Sequence, residues 1–311
     1  MHTSASKVSE AGEVKDMSEV KETGEPGSKV WFVTGANRGI GAHVARAALA
    51  AGHRVVASGR SLAQLRAAYQ DAPQDRIALV ELDVAQQGQA QRAIAAAIAR
   101  FGRIDVLVNN AGYGLLGYFE ELGDAAIRQQ FDANVFGLMD VLRAALPVMR
   151  QQRCGHIVNL SSIGGALGFG GAAVYCASKY AVEGLSASLR QEVAQFGIHV
   201  TVVEPGFFRT DFLDPSSVRY GAAPIDDYAG QAADGAAKAT VKSTYDAYSH
   251  QQPGDPALLG KALVTIANMA EPPRQFIAGS DAIGFITPDL QARLAEARRF
   301  DDLSRSTDGA F

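Results

Sequence analysis

Cysteine is scarce: the 311-residue chain holds two, Cys154 and Cys176, with no CxxC and no metal-ligand spacing to any of its six histidines. That excludes a disulfide framework, argues against a zinc site, and leaves both thiols as small buried apolar side chains. A surplus of positive charge is also missing. With a net charge of −4, nothing draws the chain to nucleic acid or another polyanion. No apolar run is long enough to span a bilayer, and the opening stretch lacks the apolar centre of a signal peptide, so no membrane partner and a cytoplasmic location are expected. Large apolar residues are almost absent before Val30, and over residues 1–28 six acidic residues outnumber three lysines. Such a segment cannot offset its ordering entropy and is expected to be a disordered tail, too acidic for a mitochondrial presequence.

From Lys29 the text changes. Short β-branched runs ("KVWFVTG", "HRVVAS", "RIALVELD", "IDVLVNNAG") alternate with Ala-rich segments at helical period ("GAHVARAALAAG", "SLAQLRAAY", "QAQRAIAAAIARFG"). Runs apolar on both faces, interleaved with amphipathic helices, signify a parallel sheet covered on both sides: an α/β, doubly wound architecture. "GHIVNLSS", "GIHVTVVEPG" and "RQFIAGS" bring the candidate strands to seven, in one domain over 29–311. Strand signals stop between Gly206 and Asp255, so residues 207–255 are expected to form a substrate lid. "DPALLGKALVTIANM" reads as a helix capped by Asp255 with Pro256 in its first turn, and "TPDLQARLAEARRF" repeats that grammar within a C-terminal extension over about 286–311.

"VTGANRGIGAHV" sets Gly35, Gly39 and Gly41, with Asn37, Arg38 and Ile40 between them, at the junction of the first strand and first helix. Glycines there suit a tight turn, and they also let backbone N–H groups and the helix dipole meet a pyrophosphate. The position at the head of a βαβ series favours the second reading. An NAD(H) site usually carries an acidic residue at the end of the second strand, roughly 20 residues beyond the loop. Here that place reads Ser58, Gly59, Arg60. Arg38 and Arg60 could converge on a phosphate ester for about 1.5–3 kcal/mol, so NADP(H) is the expected cofactor, against two solvated surface arginines.

Of nine tyrosines, Tyr175 alone has a lysine four positions on, Lys179, which places the two on one helix face. Bringing a phenol from about 10 to neutrality asks for roughly 4 kcal/mol, and an ammonium at about 5 Å supplies roughly 3. Ser161 and Ser162 end a strand where open α/β sheets bind ligands, and a hydroxyl there could hydrogen-bond a carbonyl oxygen gaining charge. Asn134, inside an apolar helical stretch, needs a partner or a water.

These stretches resemble the short-chain dehydrogenases/reductases. "TGANRGIG" (Thr34 to Gly41) is similar to their TGxxxGxG loop, "NNAG" (Asn109 to Gly112) to their fourth-strand motif, and "YCASK" (Tyr175 to Lys179) to their YxxxK pair. The resemblance selects Ser162 over Ser161, since it stands thirteen positions before Tyr175. It implies strand order 3-2-1-4-5-6-7 and a catalytic set of Asn134, Ser162, Tyr175 and Lys179. Tyr175 would be the general acid/base, Lys179 would lower its pKa and hold the nicotinamide ribose, Ser162 would polarise the carbonyl, and Asn134 would fix a water. Asp83 and Val84 would lie at the adenine, Asn110, Ala111 and Gly112 beside the adenosine ribose, and Pro205, Gly206 and Thr210 at the nicotinamide. The lid resembles that of a bacterial subgroup akin to 17β-hydroxysteroid dehydrogenase type 1. An NADP(H)-dependent oxidoreductase acting on a small-molecule carbonyl or alcohol, as a homodimer or homotetramer, is the implied whole; the alternative is an NADP(H)-binding sensor or scaffold without turnover.

Overall fold

A computed structural model describes residues 27–214, 216–221, 225–228, 240–249 and 251–309. Nearly all of the expected tail therefore lies outside the described residues, as do parts of the expected lid.

The strands are β1 (Val30–Val33), β2 (Arg54–Gly59), β3 (Ile77–Glu81), β4 (Val106–Asn109), β5 (Gly114–Leu116), β6 (Gly155–Leu160), β7 (Ile198–Pro205), β8 (Val218–Tyr220) and β9 (Gln275–Ala278). Seven of them form one parallel sheet in the order β3-β2-β1-β4-β6-β7-β9. This is the expected doubly wound order, with β5 and β8 set aside. The helices are α1 (Gly39–Ala50), α2 (Leu62–Ala68), α3 (Gln89–Phe101), α4 (Asp124–Phe131), α5 (Gly137–Gln152), α6 (Ile163–Ala166), α7 (Ala173–Val193), α8 (Val241–Tyr248), α9 (Pro256–Ala267), α10 (Ser280–Arg299) and α11 (Asp301–Arg305).

Period-two alternation explains why β1 reads as unbroken apolar text. Val30 and Phe32 enter one core with Ala93 and Ala97 of α3, Val141 of α5 and Val182 of α7, while Trp31 and Val33 enter a second with Val44 of α1, Leu65 of α2 and Leu263 of α9. Both faces are covered, so no polar face is needed. The carboxyl ends of β1, β4, β6 and β7 consequently open on one edge, where the chain order reverses between β1 and β4.

Two expectations need correction. The segment after β7 was expected to carry no strand, yet Val218–Tyr220 pairs in parallel with Gly114–Leu116. Three-residue strands are too short to leave a periodic trace in sequence. The last long helix was expected to begin at Thr287, but α10 starts at Ser280 and runs through Pro288. Ala282 and Ile286 bury against Ile163 beside Phe207 and Ile277, so tertiary packing winds the helix ahead of the proline. The carbonyl that Pro288 leaves without a donor belongs to the exposed Gly284 and can be solvated. Asp255 caps α9 as expected, its carboxylate accepting from Ala257 N–H at 2.7 Å. Of the two thiols Cys176 is buried and Cys154 half-buried.

Candidate active site

A cleft of about 810 Å³ opens along the carboxyl edge of the sheet. Its first wall is the turn between β1 and α1. Gly35 and Gly39 hold left-handed φ angles of 64° and 56°, and a Cβ on Gly41 would stand 2.4 Å from Asn110 Nδ2 and 2.5 Å from Gly35 O. The turn is thus braced from behind by the segment following β4. Asn110 Nδ2 donates to the carbonyls of Thr34 and Gly35 at 2.9 and 3.1 Å. Thr34 Oγ1 accepts from the N–H groups of Asn110 and Ala111 at 2.9 and 3.0 Å. Tyr69 of the β2–β3 connection adds a 2.6 Å bond to Ala36 O. No side chain caps α1 and no acid stands in its first turn, so its leading N–H groups face the cleft available to an anion.

Gly35, Asn37, Arg38, Gly39, Ile40, Arg60, Asp83, Val84, Asn110, Ala111, Gly112, Pro205, Gly206 and Thr210 all line this cleft. Arg38 reaches across to the segment after β7, donating to Ser216 Oγ at 2.6 Å and Ser216 O at 2.7 Å. Asn37 donates to Gln64 Oε1 at 3.0 Å. Ser58 and Gly41 are not among the lining residues. Ser58 is fully buried with its hydroxyl spent on Val33 O at 3.0 Å, because its strand position turns it into the sheet. Gly41 serves the brace instead.

Ser162, Tyr175 and Lys179 line the other part of the same cleft. Ser162 caps α6 by accepting from Gly164 N–H at 3.1 Å, and its side chain is the neighbour that opposes the effect of burial on the Tyr175 hydroxyl. One turn along α7, Lys179 Nζ lies 5.8 Å from the Tyr175 ring centroid and donates to Leu160 O at 2.8 Å. Burial lowers Lys179 to about 8, with Glu183 opposing. Tyr175 departs from expectation. Burial raises it above the ordinary phenol value, and the opposing influence comes from Ser162 rather than from the ammonium, which is turned toward Leu160.

Asn134 sits 2 % exposed in a π-turn, Asp132–Phe136, and does not line the cleft. Its Oδ1 accepts from Tyr113 N–H at 3.0 Å, and its Nδ2 donates to Tyr113 O at 2.9 Å and Ser178 Oγ at 3.2 Å. Ser178 in turn donates to Tyr175 O. Both amide protons are therefore committed to holding the β4–β5 segment and α7 together.

Several residues of the site carry no motif. Tyr113, Phe169 and Tyr245 line the cleft, and Tyr113 could have been noticed for directly following "NNAG" at a strand's end. Asp281, far along the chain, accepts from Phe207 N–H at 2.7 Å and steadies the turn after β7. Among the described residues no helix is long and apolar enough to cross a membrane, and no cluster of three or more His, Cys, Asp or Glu could hold a metal ion.

Comparison with known proteins follows the same outline. The family profile described as short chain dehydrogenase matches residues 29–220. Oxidoreductase BOA17 of Botryotinia fuckeliana is 35% identical over 89% of this chain and 98% of its own length. Oxidoreductase calM of Penicillium decumbens is 35% identical over 88% and 91%. A crystal structure of a short-chain dehydrogenase from Streptomyces avermitilis superimposes with a TM-score of 0.79 at 38% identity, covering 91% of this chain and 100% of that one. The structure of ElxO with NADP bound gives 0.65 at 27%, covering 81% and 96%.

Proposed function

The chain belongs to the short-chain dehydrogenase family of oxidoreductases, and from that premise we propose that it is an NADP(H)-dependent carbonyl reductase, running in reverse as a secondary-alcohol dehydrogenase. The observation that carries this reading is the convergence of Ser162, Tyr175 and Lys179, with the ammonium 5.8 Å from the phenol ring centroid, in the cleft that also holds the glycine turn. Left-handed Gly35 and Gly39, the uncapped start of α1 and the two guanidinium groups fit a dinucleotide carrying a 2′-phosphate. When bound, that cofactor gives or takes the hydride and, oxidised, sets a positive charge near the phenol.

The remaining work falls to side chains. Ser162 receives a hydrogen from Gly164 N–H, which leaves its own hydroxyl hydrogen for a substrate oxygen. Tyr175 donates its proton to that oxygen in reduction and accepts one in oxidation. Lys179, protonated at neutral pH, offsets the burial that raises Tyr175 once its ammonium turns from Leu160 toward the phenol and the ribose. Asn134 acts one step back, fixing Tyr113 and, through Ser178, the start of α7. Leu116, Phe169, Ala172, Val218 and Phe212 give the cleft beside Tyr175 apolar walls, which favours an uncharged carbonyl compound.

The test is NADPH oxidation against a panel of ketones, with NADP⁺ and secondary alcohols in reverse. Turnover abolished in Tyr175→Phe with dinucleotide binding intact supports the reading; tight binding without turnover in the wild type overturns it in favour of a sensor. We also propose a homodimer or homotetramer, since Phe136 at the start of α5 and Leu290 and Leu294 on α10 are exposed at 55%, 53% and 53%; a monomeric mass in light scattering would remove that part.

A further inference from the structure

Two acidic side chains behind the floor of the cleft have no part in the chemistry above. β7 turns Ile198 and Val200 toward α7, and period two sends Glu204 the same way. Glu183 lies on α7 one turn beyond Lys179. Glu204 is 3 % exposed, and Glu183 is half-buried with its Oε1 sealed from solvent. The carboxyls meet each other there, and Glu183 also faces the Ser161 hydroxyl from the end of β6 and Gln275 from β9. From α6 the neighbour is backbone: a Cβ on Gly165 would stand 2.2 Å from Ser161 Oγ and 3.2 Å from Glu183 Oε1. Among the described residues the cation facing Glu183 is Lys179.

Two carboxyls in contact, one of them buried and the other meeting it through a sealed oxygen, disfavour ionising together; one proton is shared and one negative charge remains. Burial raises both groups, and the neighbouring carboxyl helps push Glu204 up to about 7. Lys179 has the opposite difficulty. Its ammonium is buried, and the influence holding its proton against that burial is Glu183.

We propose that Glu183 and Glu204 form a proton-sharing pair whose single negative charge keeps Lys179 protonated, which makes them positioning residues for the Tyr175 acid/base site. The catalytic meaning rests on the proposed function, while the pair's own ionisation does not.

The test uses the full chain and two amide variants that keep shape and hydrogen-bonding capacity, Glu204→Gln and the double Glu183→Gln/Glu204→Gln, each checked for folding by circular dichroism. At pH 7 the infrared C=O stretch of a buried protonated carboxyl is expected in the wild type and absent from both variants. In ¹⁵Nζ-lysine NMR, with Lys179 assigned by its loss in Lys179→Met, the double variant is expected to release the Lys179 proton about one pH unit lower, and Glu204→Gln, which leaves Glu183 ionised, is not. The alkaline limb of turnover should move with it, roughly a tenfold loss at a pH above the new midpoint. A wild type without the infrared band, or a Lys179 titration unchanged in the double variant, overturns the proposal. If the double variant fails to fold, Glu204→Gln still decides through the band and through retention of the Lys179 titration. A pair that passes both spectroscopic readings in a protein with no turnover would leave the inference standing and sink the functional reading instead.

Discussion

Arg38 is already engaged before any phosphate arrives, and that makes cofactor choice depend on a serine outside the glycine turn. Its guanidinium donates to Ser216 Oγ and Ser216 O at 2.6 and 2.7 Å, all at the surface. A solvent-exposed hydrogen bond of this kind is worth up to about 1 kcal/mol. Moving Arg38 onto a 2′-phosphate gains about 1.5–3 kcal/mol and forfeits roughly that first amount, a net effect of about 2- to 30-fold. Arg60 has no competing hydrogen bond among the described residues and should contribute the full range, about 10- to 150-fold. Three outcomes follow for NADPH titrated by fluorescence or calorimetry, with NADH as control. Arg60→Ala weakens NADPH more than Arg38→Ala does. Ser216→Ala, which removes one of the two competing bonds and so about half of what they forfeit, tightens NADPH by up to about twofold. None of the three moves NADH comparably. A reversed order of the arginines, a weaker NADPH complex in Ser216→Ala, or parallel changes for both dinucleotides would refute the reasoning.

The brace behind the glycine turn predicts that Gly41→Ala displaces Asn110, losing its bonds to Thr34 O and Gly35 O. Overpacking and two lost hydrogen bonds amount to about 2–5 kcal/mol, a fall of roughly 5–15 °C in Tm, and part should return when Asn110→Ala is added. His156, 5 % exposed, is lowered by burial to about 3. Thr201 spends its hydroxyl proton on Pro273 O at 2.6 Å and so accepts from His156 Nε2–H at 2.8 Å, fixing a neutral tautomer. Because the folded value lies below the unfolded 6.5, the contribution is complete above pH 6.5 and lost progressively as pH falls toward 3. His156→Gln should remove about 2 kcal/mol of the stability difference between pH 7.5 and 5 in urea unfolding; equal pH dependence in the two proteins would contradict it.

How much was legible follows from what each feature needs of its neighbours. Period and motif order sufficed for the sheet, because β1, β2 and β4 are buried on both faces and announce themselves locally, and the edge strand β3 keeps an apolar run against both cores. The same holds for Tyr175 and Lys179, which are four apart on one helix. Ser58 misled because position relative to the second strand's end says nothing about which face a hydroxyl takes. Asn134 could be singled out as an anomalous amide, but its partners, Tyr113 and Ser178, are brought to it only by packing of α7 against the π-turn. Glu183 and Glu204 stand twenty-one positions apart and carry no motif; contact between a helix and a strand makes them a pair. Asp281 lies beyond β9, and nothing near it in sequence points to Phe207.

The small β5–β8 ribbon sews the stretch just past β4 to a stretch more than a hundred residues later, so the two behave as one flap rather than as a floor and a cover. Anyone transplanting selectivity between such enzymes would have to move both halves together: a graft of residues around Val218 alone would arrive without the strand edge at Gly114–Leu116 on which it hangs, and its three backbone rungs would have nothing to close against.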